Sequence, residues 1–427
     1  MPPLAPQEAG LTRSISESGF EILHHLENFL WAFMIVATFL IAARTLLVVW
    51  LALRHRPTPL PALPFTPPLS VVIAAYNEEK VIAQTLGALL AGDYPGALEL
   101  LVVDDGSSDA TATVVERLAL ENDRIRLLRQ PNQGKARALR RGLAAARHEF
   151  IVMLDADTQF QPDTLLQLLQ PLADPAVGAV SGHARVGNRR SFIARCQCLE
   201  YICGFNLDRR AYHQLNCITV VPGAVSAFRR SAIAAAGGIS TDTLAEDTDL
   251  TLSLHRAGYR VAYVPAAVAW TEAPETFATL ARQRFRWAYG TMQCLWKHRD
   301  LLLSSRHPGL GFFSLPSIWF FQIVLVAIVP LVDALLLLSL VFGVGGSVFV
   351  YFLAFLVSDL LLALLACRLE GEPLRSAWRI LPMRFIYRPL LAWVIWKSIF
   401  KACKGAWVGW GKLERTASVT LPADRGI

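Results

Sequence analysis

The sequence predicts an α/β domain with a parallel sheet, set between membrane helices, and three observations carry that expectation. Apolar runs of strand length alternate with helical stretches from residue 69 to residue 154. Each run ends in polar residues at its carboxyl side, the edge where open α/β sheets place ligand chemistry. The 427 residues are 54% hydrophobic with positive mean hydropathy, too apolar for an ordinary soluble protein.

The formal charge of +7 does not point to nucleic acid, because the basic residues gather at the flanks of hydrophobic runs. That placement favours a membrane surface and anionic substrates. The 7 cysteines show neither paired metal spacing nor a secretory framework, so they are expected to be reduced, structural thiols.

Residues 1–28 form an acidic tail. Residues 29–53 are apolar except for Arg44 and are long enough to span a bilayer; Arg54, His55 and Arg56 follow, which places the next segment in the cytoplasm and the tail outside. The linker 54–68 carries six prolines from Pro57 to Pro68 and should be stiff and extended. The catalytic domain is expected over 69–300. Ser70–Ala75, Leu98–Val103, Ile125–Leu128 and Phe150–Leu154 read as strands, with helices over Glu78–Leu90 and Lys135–Ala146.

The strand ends carry Tyr76-Asn77-Glu78-Glu79, then Asp104-Asp105-Gly106-Ser107-Ser108-Asp109, then Asn132-Gln133-Gly134-Lys135, then Asp155-Ala156-Asp157. Singly each could be a turn or a helix cap. Together they suit a nucleotide diphosphate: carboxylates for base or ribose, a lysine at a helix start for phosphate, and paired acids for Mg²⁺ or Mn²⁺. No GxxxxGK(S/T) loop or GxGxxG turn is present, so an ATPase or a dinucleotide enzyme is poorly supported. Further on, Glu246-Asp247 precedes a helical stretch, and helical spacing sets Gln283, Arg286 and Trp287 on one face. An interface helix aiming Arg282, Arg284 and Arg286 at lipid phosphates would show the same pattern.

Beyond an interface segment at 301–314, residues 315–369 read as a hairpin of two spans, marred by Asp333 and Asp359 and joined by the glycine-rich turn 343–346. Arg375, Arg379, Arg384 and Arg388 follow, so the hairpin should go out and come back. The segment 370–408 reads as basic interfacial helices, or a short span, with Lys397, Lys401 and Lys404 among Trp393, Trp396 and Trp407; a tail at 409–427 closes the chain.

The motifs in this order, Asp-Asp-Gly-Ser-x-Asp, Asn-x-Gly-Lys, Asp-Ala-Asp, Glu-Asp and Gln-x-x-Arg-Trp, resemble the membrane-embedded glycosyltransferase family 2, which includes cellulose, chitin, hyaluronan and poly-N-acetylglucosamine synthases. The resemblance covers roughly Leu69 to Asp300. It implies a GT-A, Rossmann-like catalytic domain combined with transmembrane and interfacial helices. It further implies that Asp104 or Asp105 contacts the uracil end of a UDP-sugar, that Lys135 contacts its diphosphate, that Asp157 binds the divalent cation, and that Asp155 beside it touches ribose or metal. Gly223, in Val221-Pro222-Gly223-Ala224, falls beside the acceptor sugar. Asp247 matches the catalytic base, with Glu246 next to it, although Ala245 stands where the family usually has Thr. Gln283 and Arg286 would stabilise the leaving diphosphate, and Trp287 would lie under the acceptor. Trp410-Gly411 resembles the start of a gating loop, but Lys412 to Arg415 departs from it.

The expected activity is inverting, metal-dependent transfer of a hexose or N-acetylhexosamine from a UDP-sugar to a growing β-linked polysaccharide, coupled to export. The alternatives are a non-processive transferase acting on a membrane lipid and a scaffold with a degenerate transferase domain. The expected partners are the donor, a glycan or lipid acceptor and membrane lipids, with no nucleic acid. About three spans are few for a pore, which points to an accessory subunit or homo-oligomer. The expected location is the bacterial inner membrane, multi-pass, with the catalytic domain in the cytoplasm.

Overall fold

The computed structural model describes residues 32, 35–56, 61–341, 346–404 and 419. The acidic tail, the first prolines of the linker (57–60), residues 342–345, which include the first three of the glycine-rich turn, and Trp410-Gly411 lie outside the described residues. The chain divides into two units, Met1–Trp50 and Leu51–Ile427. Helix α1 (Ile35–Arg54) exposes Ile35, Phe39, Leu46 and Trp50, and with the helical stretch Gly309–Ala334 it is one of two described helices long and apolar enough to cross a membrane.

Strands β1 (Leu69–Ala75), β2 (Leu98–Asp104), β3 (Ile125–Arg129) and β4 (Phe150–Asp155) are parallel, in the order β3-β2-β1-β4. Val71 to Ile73, Leu100 to Val103 and Ile151-Val152 are fully buried without alternation, as a sheet covered on both faces requires. The crossovers are α2 (Ile82–Leu90), α3 (Thr111–Glu121) and α4 (Lys135–Ala145). Sequence patterning gave α3 no element, because its β-branched start, Thr111, Thr113, Val114 and Val115, is poor in helix propensity. Register does the rest: Ala75 of β1 pairs with Asp104 and Ala74 with Asp155, so two of the expected acids reach one edge on either side of β1.

The second half of the sheet is mixed rather than parallel. It comprises β5 (Gln159–Phe160), β6 (Val177–Val186), β7 (Ser226–Arg229) and β8 (Arg260–Thr271), continuing the order as β4-β7-β6-β8-β5. Between them lie α5 (Thr164–Leu169), α6 (Phe192–Glu200), α7 (Leu207–Gln214), α8 (Arg230–Ala235) and α9 (Glu246–Arg256). Helix α10 (Phe277–Lys297) follows, opened by a capping box between Thr276 and Thr279.

After a largely π-helical stretch containing α11 (Leu315–Ser317) come α12 (Leu325–Val341), α13 (Gly346–Leu369), the short α14 (Ile380–Pro382) and α15 (Arg388–Cys403). The acids that interrupt the apolar runs are compensated from within this bundle: Arg384 meets Asp333 at 2.8 Å, and Arg388 meets Asp359 at 2.8 Å. Arg384 and Arg388 are thus bound to acids on neighbouring helices, a role that charge counting along loops could not reveal. At the base of α13, Glu370 accepts from Arg210 at 3.0 Å and contacts His183 at 2.9 Å, while Arg189 grips Glu372 with two bonds of 2.8 Å. These pairs fix the bundle to β6 and α7; removing one partner would strand a buried charge.

Candidate active site

The polar strand ends first hold one another in place. Asp105, buried, accepts from Gln130 Nε2 (2.7 Å), Gln133 N–H (2.9 Å) and Gly134 N–H (2.7 Å), so it pins the turn that starts α4. Gly134 sits at φ 93°, a backbone conformation open to glycine, and delivers Lys135 as the first residue of α4. Asp104 accepts from Ser107 N–H at 3.1 Å and is likewise buried. Asn77, at φ 54°, accepts from Ser108 N–H at 2.7 Å, which laces the end of β1 to the loop after β2.

Lys135 then reaches across the edge. Its Nζ lies 2.7 Å from Asp155 Oδ1 at the end of β4 and 3.0 Å from Glu246 Oε1 at the start of α9. Burial works against its charge, yet the carboxylates of Asp155 and Glu246 outweigh this and hold the ammonium well above the ordinary lysine range. Next to it, burial and the neighbouring Glu246 charge push the Asp247 carboxyl up to about 6, opposed by Lys135 and by the 2.7 Å hydrogen bond from Thr248 N–H. A carboxyl poised there can exchange a proton near neutral pH.

Gly223 closes this group. A Cβ at Gly223 would stand 2.7 Å from Lys135 Nζ and 3.3 Å from Asp155 Oδ1. Gly223→Ala is therefore expected to fold, since a lysine tip can move, but to lose transferase turnover by about tenfold or more because the ammonium is dislodged from Asp155; melting and turnover measured together check this. Lys135, Asp155, Gly223, Glu246 and Asp247 line one cavity with Val221 and Leu250. Asp104, Asp105, Asp157, Gln283, Arg286 and Trp287 are not part of its lining.

Two residues that the motifs did not single out set the geometry of α9. Thr251 donates to the Asp247 carbonyl (2.7 Å) and accepts from Val221 N–H (2.9 Å), tying the Gly223 loop to the helix that bears the acids. Asp249, buried, takes His298 Nε2 at 2.5 Å and Lys297 Nζ at 2.7 Å from the end of α10. The only sequence signal for Thr251 is its spacing of four from Asp247. Ala245 has no side chain to cap α9, and it faces Gly290 of α10, where a Cβ would come within 2.9 Å of the Ala245 Cβ. Helix α10 thus braces α9 with its second half while its first half carries Gln283, Arg286 and Trp287.

On that first half, Gln283 is buried, Arg286 half-buried and Trp287 38% exposed, enough to offer part of its ring to a ligand. The lipid-facing arginine row is corrected at its centre: Arg284 is buried, held by Glu200 and Tyr387, while Arg282 is exposed.

Among the described residues no group of three or more His, Cys, Asp or Glu side chains gathers to hold a metal. The pair Asp155 and Asp157 nevertheless offers hard oxygen donors at a strand end, which fits a Mg²⁺ or Mn²⁺ ion completed by phosphate oxygens and water.

The family model described as "Glycosyltransferase like family 2" matches residues 67–290, more than half of the chain. A second, described as "Chitin synthase", matches 241–402. The poly-beta-1,6-N-acetyl-D-glucosamine synthase of Staphylococcus aureus (strain COL) is 34% identical over 228 residues, 53% of this chain and 55% of that protein. The synthase of Staphylococcus epidermidis is 32% identical over the same shares. The chain thus spans about half the length of the curated relatives it matches. Among solved structures, the mannosyltransferase PcManGT from Pyrobaculum calidifontis, in complex with GDP-Man and Mn2+, superposes with a TM-score of 0.60 at 25% identity, covering 82% of this chain and 97% of that one. The eight-stranded sheet, the acid-lined edge and these matches agree, and the chain belongs to glycosyltransferase family 2, built on a GT-A fold.

Proposed function

We propose that the chain transfers a hexose or N-acetylhexosamine from a UDP-sugar to a growing β-linked polysaccharide at the cytoplasmic face of a bacterial inner membrane, with export of the product as a coupled step. The observation that carries this reading is the cluster in which Lys135 bridges Asp155 and Glu246 beside Asp247, whose carboxyl is held near pH 6. Asp247 takes the proton of an acceptor hydroxyl as that oxygen attacks the anomeric carbon; the bond from that carbon to the diphosphate breaks, and UDP leaves with the electron pair. Lys135, Gln283 and Arg286 meet the diphosphate, Asp104 or Asp105 meets the nucleoside end, and Trp287 offers an aromatic face to the acceptor sugar beside Gly223. Asp157 and Asp155 would hold a divalent cation, which would screen diphosphate charge when bound.

The likeness to N-acetylglucosamine polymer synthases and the chitin synthase match support a β-linked N-acetylhexosamine product, and the two long apolar helices support a membrane location. One observation favours a second reading. The solved mannosyltransferase is matched over 97% of its length, the synthases over 55%. This suits a non-processive transferase that places one hexose on a membrane lipid, with a GDP-sugar among the candidate donors. Membranes containing the full chain, incubated with Mn²⁺ or Mg²⁺ and a panel of labelled UDP- and GDP-sugars, test both readings. A long polymer from a UDP-sugar is the expected product, a single sugar on lipid would establish the second reading, and no nucleotide release from any donor would overturn both. EDTA is expected to abolish the release.

A further inference from the structure

The helix that carries Gln283, Arg286 and Trp287 also carries a buried cation that the proposed reaction does not use. The guanidinium of Arg284 lies over the Trp287 ring, 4.1 Å from its centroid, and donates through Nη1 to Gln283 Oε1 at 2.9 Å. Its other nitrogen, Nη2, reaches Glu200 Oε2 and lies 3.3 Å from the Tyr387 hydroxyl. That hydroxyl in turn donates to the same Glu200 oxygen at 2.6 Å. Arg284, Glu200 and Tyr387 come from α10, the end of α6 and the turn before α15, so one closed network joins three parts of the chain.

Chemistry explains why an arginine stands here. A planar guanidinium can stack on an indole face while its edge makes directed bonds, and a lysine ammonium cannot do both. Trp287 is gripped from one side by Arg284 and from its edge by Phe205, whose ring centroid lies 5.9 Å away at 61°. A ring fixed in this way presents its remaining surface at a set angle. Burying a paired charge contributes little net stability, and a platform for a sugar is useful only if its orientation is fixed.

We propose that Arg284, clamped by Glu200 and Tyr387, is the positioning residue that sets the Trp287 ring for the acceptor sugar. The proposal rests on the acceptor role given to Trp287 above, so its test has one arm that needs no turnover. The full chain, labelled with 5-fluorotryptophan in lipid nanodiscs, gives a ¹⁹F spectrum in which Trp287→Phe identifies the Trp287 resonance. Arg284→Lys, which keeps the charge opposite Glu200, is expected to shift or broaden that resonance and leave in place the resonance of Trp270, which stands on β8 under Arg185 and Arg189; Tyr387→Phe should move it in the same direction by less. An unmoved Trp287 resonance in Arg284→Lys would overturn the proposal whether or not a donor has been found.

In the second arm, the donor that wild-type membranes turn over is used with a β-linked N-acetylglucosamine pentamer. Arg284→Lys is expected to raise the acceptor KM by about tenfold with the donor KM within about twofold. The double variant Arg284→Lys with Trp287→Phe should be no worse than Trp287→Phe alone, since both act on one ring. Additive losses, or a donor KM that rises as much as the acceptor KM, would mark Arg284 as a general support of the helix and overturn the assignment. Absence of transfer in the wild type would defeat the acceptor reading alone, with the spectral arm still deciding whether Arg284 holds Trp287.

Discussion

Asp247→Asn is expected to lower turnover by on the order of 10²- to 10⁴-fold while leaving donor binding nearly intact, because the amide keeps the shape but cannot accept the acceptor proton. Full activity in this variant would sink the mechanism. The raised carboxyl also fixes the sign of two pH effects. In the proposed mechanism activity needs the carboxylate, so turnover should fall as pH drops through about 6. Stability runs the other way: a folded-state pKa above the unfolded value of 3.8 means that the protonated form is favoured in the fold, and this contribution is lost as pH rises through about 6. Asp247→Asn should therefore melt at a higher temperature than the wild type at pH 7.5, with the difference vanishing near pH 4. A pH series of melting curves on both proteins checks this, and the pair of results marks a residue kept for chemistry at the expense of stability.

Lys135→Met should be the second most damaging change. It removes the ammonium that meets Asp155 at 2.7 Å and Glu246 at 3.0 Å, and it leaves both acids facing Asp247 without a counter-charge. Turnover is expected to fall on the order of 10²-fold or more from loss of the proposed diphosphate contact. The fold should lose about 1–3 kcal/mol at pH 8, because Asp155 and Glu246 are left without their counter-charge. The Lys135 pKa is raised in the fold, so its stabilising effect is present throughout the neutral range and disappears only in strong alkali. Denaturant titrations of both proteins at pH 8 measure this loss. An unchanged midpoint would mean that the acids do not feel the missing charge.

Much of this was legible in the sequence because strand ends in a parallel sheet share an edge. Once Leu69–Ala75, Leu98–Asp104 and Phe150–Asp155 are strands, Asp104 and Asp155 must arrive on either side of β1. The Glu246-Asp247 pair was visible as acids at a helix start, and α9 begins at Glu246. Less legible was whatever depends on contacts between distant segments. Asp105 could be named as polar, but not as the residue that takes up three donors of the Gln130–Gly134 turn. Arg284 sits among three alternate arginines, and nothing in the spacing distinguishes the one that lies buried against Glu200 and Tyr387. The acids Asp333 and Asp359 looked like flaws in membrane helices, since their partners Arg384 and Arg388 lie 51 and 29 residues further along the chain. The antiparallel β7 is only four residues long, too short for its period to be read.

The lysine bridge has a consequence for how the cleft discriminates between visitors. With its own ammonium seated between two acids, the lysine is already paired, and a newcomer is admitted only by offering that ammonium a better anion. A free sugar or a bare nucleoside brings no such anion and gains nothing from the exchange. A nucleoside diphosphate does bring one, so spent nucleotide should compete strongly with fresh donor, and its departure would let the lysine fall back between Asp155 and Glu246. Each round would then end where it began, with the protein supplying the ion that stands guard between one donor and the next.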